Sequence, residues 1–167
     1  MKKSILLFIF LISSLLSFSQ DEVKIDGRIQ PILNDFFEYC KKYDIEYNEK
    51  LFQLESIQIV DTLPLDKYST VLGKVLRDEN GDINKIVINW ATMFDKEILR
   101  IVAFHEFAHH FLDYKHTCHD CNEIMAEVNT SYFDIARDWE NQVDHLFTTS
   151  PVYLNKQQKA NTSLASK

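Results

Sequence analysis

Residues 101–116 read IVAFHEFAHHFLDYKH, an apolar run carrying one glutamate and four histidines. Just upstream, Asp95 can cap a helix whose apolar positions Ile98, Leu99, Ile101, Val102, Phe104, Phe107, Ala108, Phe111 and Leu112 surround most of its circumference. The spacing predicts a buried helix. On it His105 and His109 stand four residues apart, so both rings leave one face with Cβ atoms about 6 Å apart and can converge on one metal ion at about 2.1 Å. Glu106 projects about 100° further round, too far to be a natural ligand but able to reach a water on that metal, the position of a general base. Burying one glutamate and two histidines among Ile, Val, Phe and Leu is costly without partners, and a metal is the simplest partner. A chance match is the bland alternative, but five of the six histidines fall between 105 and 119. His110 is turned about 100° from His109, points away from the metal and takes no role there.

A hydrolytic zinc site needs three protein ligands and one open position. His116 is the first candidate for the third. Were the helix continuous, His116 would lie roughly 10 Å beyond His109, so the helix must stop near Leu112 or Asp113 and the chain must turn back. His119 on the same loop, and Glu123 or Glu127 from a following helix, are rival ligands. Met125 alone reads as a core methionine. In HTCHDC, residues 116–121, Cys118 and Cys121 are close enough to form a disulfide, and the same thiols with His116 and His119 could instead hold a metal. Cys40 is then the odd thiol, buried in a helix.

Outward from this core the chain, with 167 residues and 46% hydrophobic content, has room for one domain. Ile29, Ile32, Leu33, Phe36, Phe37, Cys40 and Tyr43 recur at steps of three and four, an amphipathic helix from Asp26 to Tyr43 in which Pro31 fits only the first turn. LESIQIVD, residues 54–61, alternates as a strand, and Thr62, Pro64 and Asp66 mark a loop. STVLGKVLR and DINKIVINW flank an Asn80-Gly81 turn and predict a hairpin. A final helix is expected from about Ala126 to Phe147, and residues 148–167, polar and holding a proline, as a flexible tail.

Residues 1–19 have two lysines, an uncharged run from Ile5 to Leu16 and the small-x-small triplet Ser17, Phe18, Ser19, the pattern of an export signal cut before Gln20. A membrane anchor is the alternative, but the run is short for a span of about 20 residues and is broken by Ser13 and Ser14. Cleavage removes only Lys2 and Lys3 among the charged groups and takes the formal charge from −7 to −9. That acidity excludes the basic footprint of a nucleic-acid binder, and no later segment is apolar enough to re-enter a membrane. The expectation is an exported, secreted or periplasmic monomer.

KIVINW, HEFAHHFLDYKH and EIM, in that order, resemble the Met-turn zincins, the metzincin-like metallopeptidases, and most closely a set of small exported bacterial proteins of that kind. WENQVDHLF is similar to the end of that set's last helix. The likeness covers roughly residues 83–147. The metzincin pattern has a glycine three residues after the second histidine and its third histidine six after it; this chain has Leu112 at the first position, and His116 comes one residue later. The resemblance implies an α+β zincin-like fold with an N-terminal helix, a small twisted sheet of three or more strands including a hairpin, a buried active-site helix, a Met-turn and a C-terminal helix. It further implies one Zn²⁺ per chain held by His105, His109 and His116, Glu106 as catalytic acid and base, and Met125 as an apolar floor beneath the metal.

With that chemistry the expected activity is zinc-dependent hydrolysis of a peptide or protein substrate; a zinc-binding or interaction protein that keeps the scaffold without catalysis is the alternative. In zincins the strand before the active helix offers its edge to an extended substrate, and Ile86–Asn89 is the candidate, with an ordinary interior strand as the other reading. Tyr114, Tyr132 and Tyr153 are all eligible to assist at the oxyanion.

Overall fold

Alternating and three-four apolar spacing set out strands and helices, and the computed structural model, which describes residues 22–65, 70–128 and 131–165, assembles them into an α+β fold with a four-stranded mixed sheet and six helices. The export signal expected at 1–19 and the loop marker Asp66 lie outside the described residues. Strand β1 (Lys24–Ile25) leads to α1 (Gln30–Lys42) and the short α2 (Asn48–Leu51). Then come β2 (Ser56–Val60), β3 (Gly73–Arg77) and β4 (Ile83–Asn89), a 3-10 turn at Trp90–Phe94, and α3 (Lys96–Phe111). Helices α4 (Tyr132–Arg137), α5 (Trp139–Thr148) and α6 (Pro151–Ala165) complete the chain.

The sheet order is β1-β2-β4-β3, with β1, β2 and β4 parallel and β3 antiparallel to β4. The hairpin closes as expected at Asn80-Gly81: the Asp78 carboxylate accepts from the backbone N–H of Asn80 and Asp82, and Gly81 takes a φ of 89° that L side chains rarely adopt. Ile86, Val87, Ile88 and Asn89 are all buried, which explains why KIVIN is continuous rather than alternating: β4 lies inside the sheet with neighbours on both sides. The strand expected to offer its edge is therefore interior; the edge strands are β1 and β3, and β3 is the one that pairs with β4.

Helices α1 and α3 pack together through aromatic rings. Phe36, fully buried, places its ring 5.2 Å from Phe104, 5.5 Å from Phe107, 5.8 Å from Phe111 and 5.1 Å from Phe147. Each such pair adds about 0.5–1.5 kcal/mol to plain area burial. The helix carrying the histidines is thus held rigidly on the side away from them.

Two expectations about the C-terminal part are corrected. The single helix from Ala126 to Phe147 is replaced by a loop and two helices: Glu127 and Val128 give their N–H groups to the carbonyls of Cys118 and His119, so they are committed to strand-like pairing and cannot be helical. Ser131 caps α4 by accepting from Asp134 N–H, and Asp138 breaks it from α5. Within the stretch read as a flexible tail, residues 151–165 form helix α6. Pro151 occupies its first position, where a missing N–H costs nothing, the buried Ser150 hydroxyl accepts from Tyr153 N–H, and Val152 and Tyr153 pack on the core. No helix among the described residues is long and apolar enough to cross a membrane.

Candidate metal centre

The site is built on α3 and the turn that follows it. Asp95 caps the helix as its sequence position suggests, its carboxylate accepting from the N–H groups of Glu97 and Ile98. At its other end the helix stops at Phe111, with Leu112 as its C-cap, within the limit that His116 requires. The N–H groups of Leu112 and Tyr114 both donate to the Ala108 carbonyl, and Asp113 reverses the chain at a φ of 55°. No glycine is present at this turn. Instead the Lys50 ammonium, from α2, donates to the Asp113 carboxylate at 2.6 Å and to the His110 carbonyl at 3.0 Å, while the His110 ring donates from Nε2 to the Lys50 carbonyl at 2.7 Å. His110 does point away from His105, His109 and His116. Its work is to fasten the helix end.

This reversal returns the chain so that three imidazoles meet. Nε2 of His105 stands 3.0 Å from that of His109 and 3.2 Å from that of His116. Ligands at about 2.1 Å from a tetrahedral Zn²⁺ are about 3.4 Å apart, so the spacing suits one ion. His105 Nδ1 donates to the Ile124 carbonyl at 2.7 Å and His109 Nδ1 to the Tyr114 carbonyl at 2.8 Å. A carbonyl can only accept, so both rings hold their proton on Nδ1 and turn a bare Nε2 lone pair inward. Burial pushes the His105 pKa down to about 4, and burial also lowers that of His109, so both rings are neutral at pH 7. Two facing lone pairs repel unless a cation lies between them, and the three histidines form a group that could hold a metal ion.

The rival ligands have other partners, although Glu127 also lines the cleft beside the three histidines. His119 is exposed and pairs through Nδ1 with the Glu127 carboxylate at 3.1 Å, while Glu123 accepts from the Thr117 hydroxyl at 2.9 Å. Cys118 and Cys121 are joined as a disulfide, two residues beyond His116, and Cys40 is a buried free thiol. The ligand loop is laid beside residues 125–128 by three backbone hydrogen bonds: Thr117 N–H to Met125, Glu127 N–H to Cys118 and Val128 N–H to His119. Met125 is buried in the turn whose preceding carbonyl, that of Ile124, orients His105.

Beside the histidines Glu106 is 5% exposed, and burial alone raises its carboxyl pKa to about 8. Its carboxylate accepts no hydrogen bond from the described residues. A largely buried acid to which no described residue donates, beside three histidines that could hold a metal ion, is an arrangement that reacting groups repeatedly show. It borders a cleft of about 570 Å³ lined by the three histidines and Val102, by Thr70 to Val75, and by Ala126 to Val128 and Tyr132.

Of the three tyrosines, Tyr132 lines the cleft; the Tyr114 hydroxyl is engaged with Thr149 at 2.5 Å, and the Tyr153 ring meets Tyr43 at 6.0 Å. Three features of the site escape a reading of the sequence: the edge position of β3, the closeness of Gly73 to Glu106, and the Lys50 fastening of the turn. Only Gly73 leaves a local trace, since glycine inside a strand marks close approach by another group. Comparison with protein-family models, with curated proteins and with solved structures gives no match.

Proposed function

We propose that the chain is a zinc-dependent metallopeptidase on a zincin-like scaffold, with His105, His109 and His116 as ligands and Glu106 as the group that moves protons. The observation that carries this reading is that His105 Nε2 stands 3.0 Å from that of His109 and 3.2 Å from that of His116, all three ligand atoms within 4.8 Å of one another, beside a buried carboxylate to which no described residue donates a hydrogen bond. A purely structural site has no use for such a carboxylate. Zinc bound here would supply Lewis acidity, acidifying water and polarising a carbonyl.

The residues of the chain do the rest. Glu106 accepts a proton from water and, protonated, hands it to the departing amine; a carboxyl whose pKa burial has raised towards neutrality is suited to both transfers. Extended substrate is held by β3. Asn89 N–H bonds to the Leu72 carbonyl, so by the alternation of an antiparallel ladder Leu72 and Lys74 face β4 while the N–H and C=O groups of Gly73 and Val75 face away from it, where no described residue pairs with them. Adding a peptide strand there satisfies those groups and brings its backbone over Glu106. Tyr132, which lines the same cleft, is the candidate to assist at a developing oxyanion, and Met125 would give the metal its apolar support. The peptide or protein substrate, action outside the cytoplasm after signal cleavage, and a monomeric state belong to the same proposal.

Metal analysis of residues 20–167, with peptide-library cleavage by the wild type and Glu106→Gln, tests it. One zinc per chain in both proteins and cleavage by the wild type alone is the expected result. Equal cleavage by the two would remove Glu106 from the mechanism, and one zinc with no cleavage by either would leave a zinc-binding protein.

A further inference from the structure

Gly73 opens β3 directly over Glu106. A Cβ built on it would stand 2.5 Å from Glu106 Oε1, 2.7 Å from Cγ and 2.9 Å from Cδ. All three distances are shorter than atoms in a packed interior tolerate, and they run along the side chain, so turning the carboxylate about its last bond does not clear them. The whole glutamate would have to swing. Gly73 is paired in the ladder with Ile88, which is fully buried, and Glu106 itself is 5% exposed, so the direction left open is outward into the cleft.

The backbone gives no other reason for a glycine here. Gly81 needs its positive φ, but the φ of Gly73 lies outside the left-handed region, and a side-chain carbon added to Gly27 or Gly81 would meet nothing within 4 Å. Glycine loses more backbone freedom on folding than any other residue and contributes no packing. Its presence is therefore a local cost at the one strand position where the missing methyl makes room for the carboxylate.

We propose that Gly73 is a positioning residue: by having no side chain it fixes the Glu106 carboxylate beneath the free edge of β3 and beside the three histidines. This rests on the peptidase reading in that it takes Glu106 as the proton-transfer group. The strand that holds substrate and the residue that acts on it then share one contact point, so a peptide docked at the Gly73 backbone lies at a set distance from the base.

The test uses residues 20–167 as wild type, Gly73→Ala, Glu106→Ala and the double variant. Cleavage is followed on a peptide selected by the wild type, with zinc affinity and thermal melting measured alongside. Gly73→Ala is expected to keep one zinc with affinity within threefold, to leave KM within threefold, and to lose kcat about 100-fold, the scale of a 1 Å misplacement. It should lower the melting temperature by about 5 °C in the wild-type background, as overpacking does, and by none in the Glu106→Ala background, where the methyl enters the space vacated. Wild-type kcat in Gly73→Ala, or the same melting loss in both backgrounds, overturns the proposal. If the wild type cleaves no peptide the peptidase reading fails by itself, and the melting cycle still decides whether Gly73 holds Glu106.

Discussion

Replacing Asp113 with alanine should weaken zinc binding three- to tenfold although residue 113 is not a ligand. Asp113 sits at a φ of 55°, and the left-handed region costs an L residue about 1–2 kcal/mol, which the short polar side chain of aspartate reduces. Alanine has no such relief, so about 1 kcal/mol is lost there. The ion pair to Lys50 goes too, and with the Asp113 side chain 63% exposed it contributes about 0.5 kcal/mol. The total of about 1.5 kcal/mol sets an upper limit near tenfold on how far the turn can open and withdraw His116. Competition for zinc against a chromogenic chelator at pH 7 measures it. Asp113→Gly should bind within twofold of the wild type, because glycine recovers the conformational part. In a His116→Ala background Asp113→Ala should change affinity less than twofold, since a turn that delivers no ligand cannot matter. An equal loss in both backgrounds, or no loss in either, would refute the idea that this turn delivers the third ligand.

Thiol titration checks the cysteines: burial pushes the Cys40 thiol up to about 12, so at pH 8 a disulfide-exchange reagent should find no thiol in the native protein, one in guanidinium, and three after reduction. Phe36→Ala should cost about 3–5 kcal/mol in denaturant unfolding, because five aromatic neighbours on three helices are left facing a cavity; a loss below 1 kcal/mol would show that the ring cluster is not the core. The Arg28 guanidinium holds the Asp26 carboxyl down at about 2. A depressed carboxylate stabilises the fold above its unfolded pKa near 4 and ceases to do so as pH falls through 2. Solvent screening keeps that contribution under about 1 kcal/mol, and Asp26→Asn should abolish it when unfolding is compared at pH 5 and pH 2.

Much of this was legible from residue order. The i, i+4 histidines, the Asp95 cap, the Asn80-Gly81 hairpin and the necessary end of the helix near Leu112 are local, because helical period and turn chemistry depend on residues within one or two turns of each other. The same local rules misread two places. Ala126 to Val128 have a helix-compatible composition but are drawn into backbone pairing with Cys118 and His119, and Pro151 marks the start of a helix rather than irregular chain.

What the chain's order determined by itself is which side chains can share a face: His105 with His109, Glu106 beside them, and a third ligand only if the helix stops. The tertiary structure decided the rest. Sheet order put KIVIN inside and β3 at the edge, which no pattern of side chains dictates, since the bonds joining strands are made by backbone groups common to every residue. Lys50 reached a turn 63 residues away to hold Asp113, and Gly73 met Glu106 across 33 residues. A missing side chain has meaning only through what approaches it, and that approach exists only once the chain has folded.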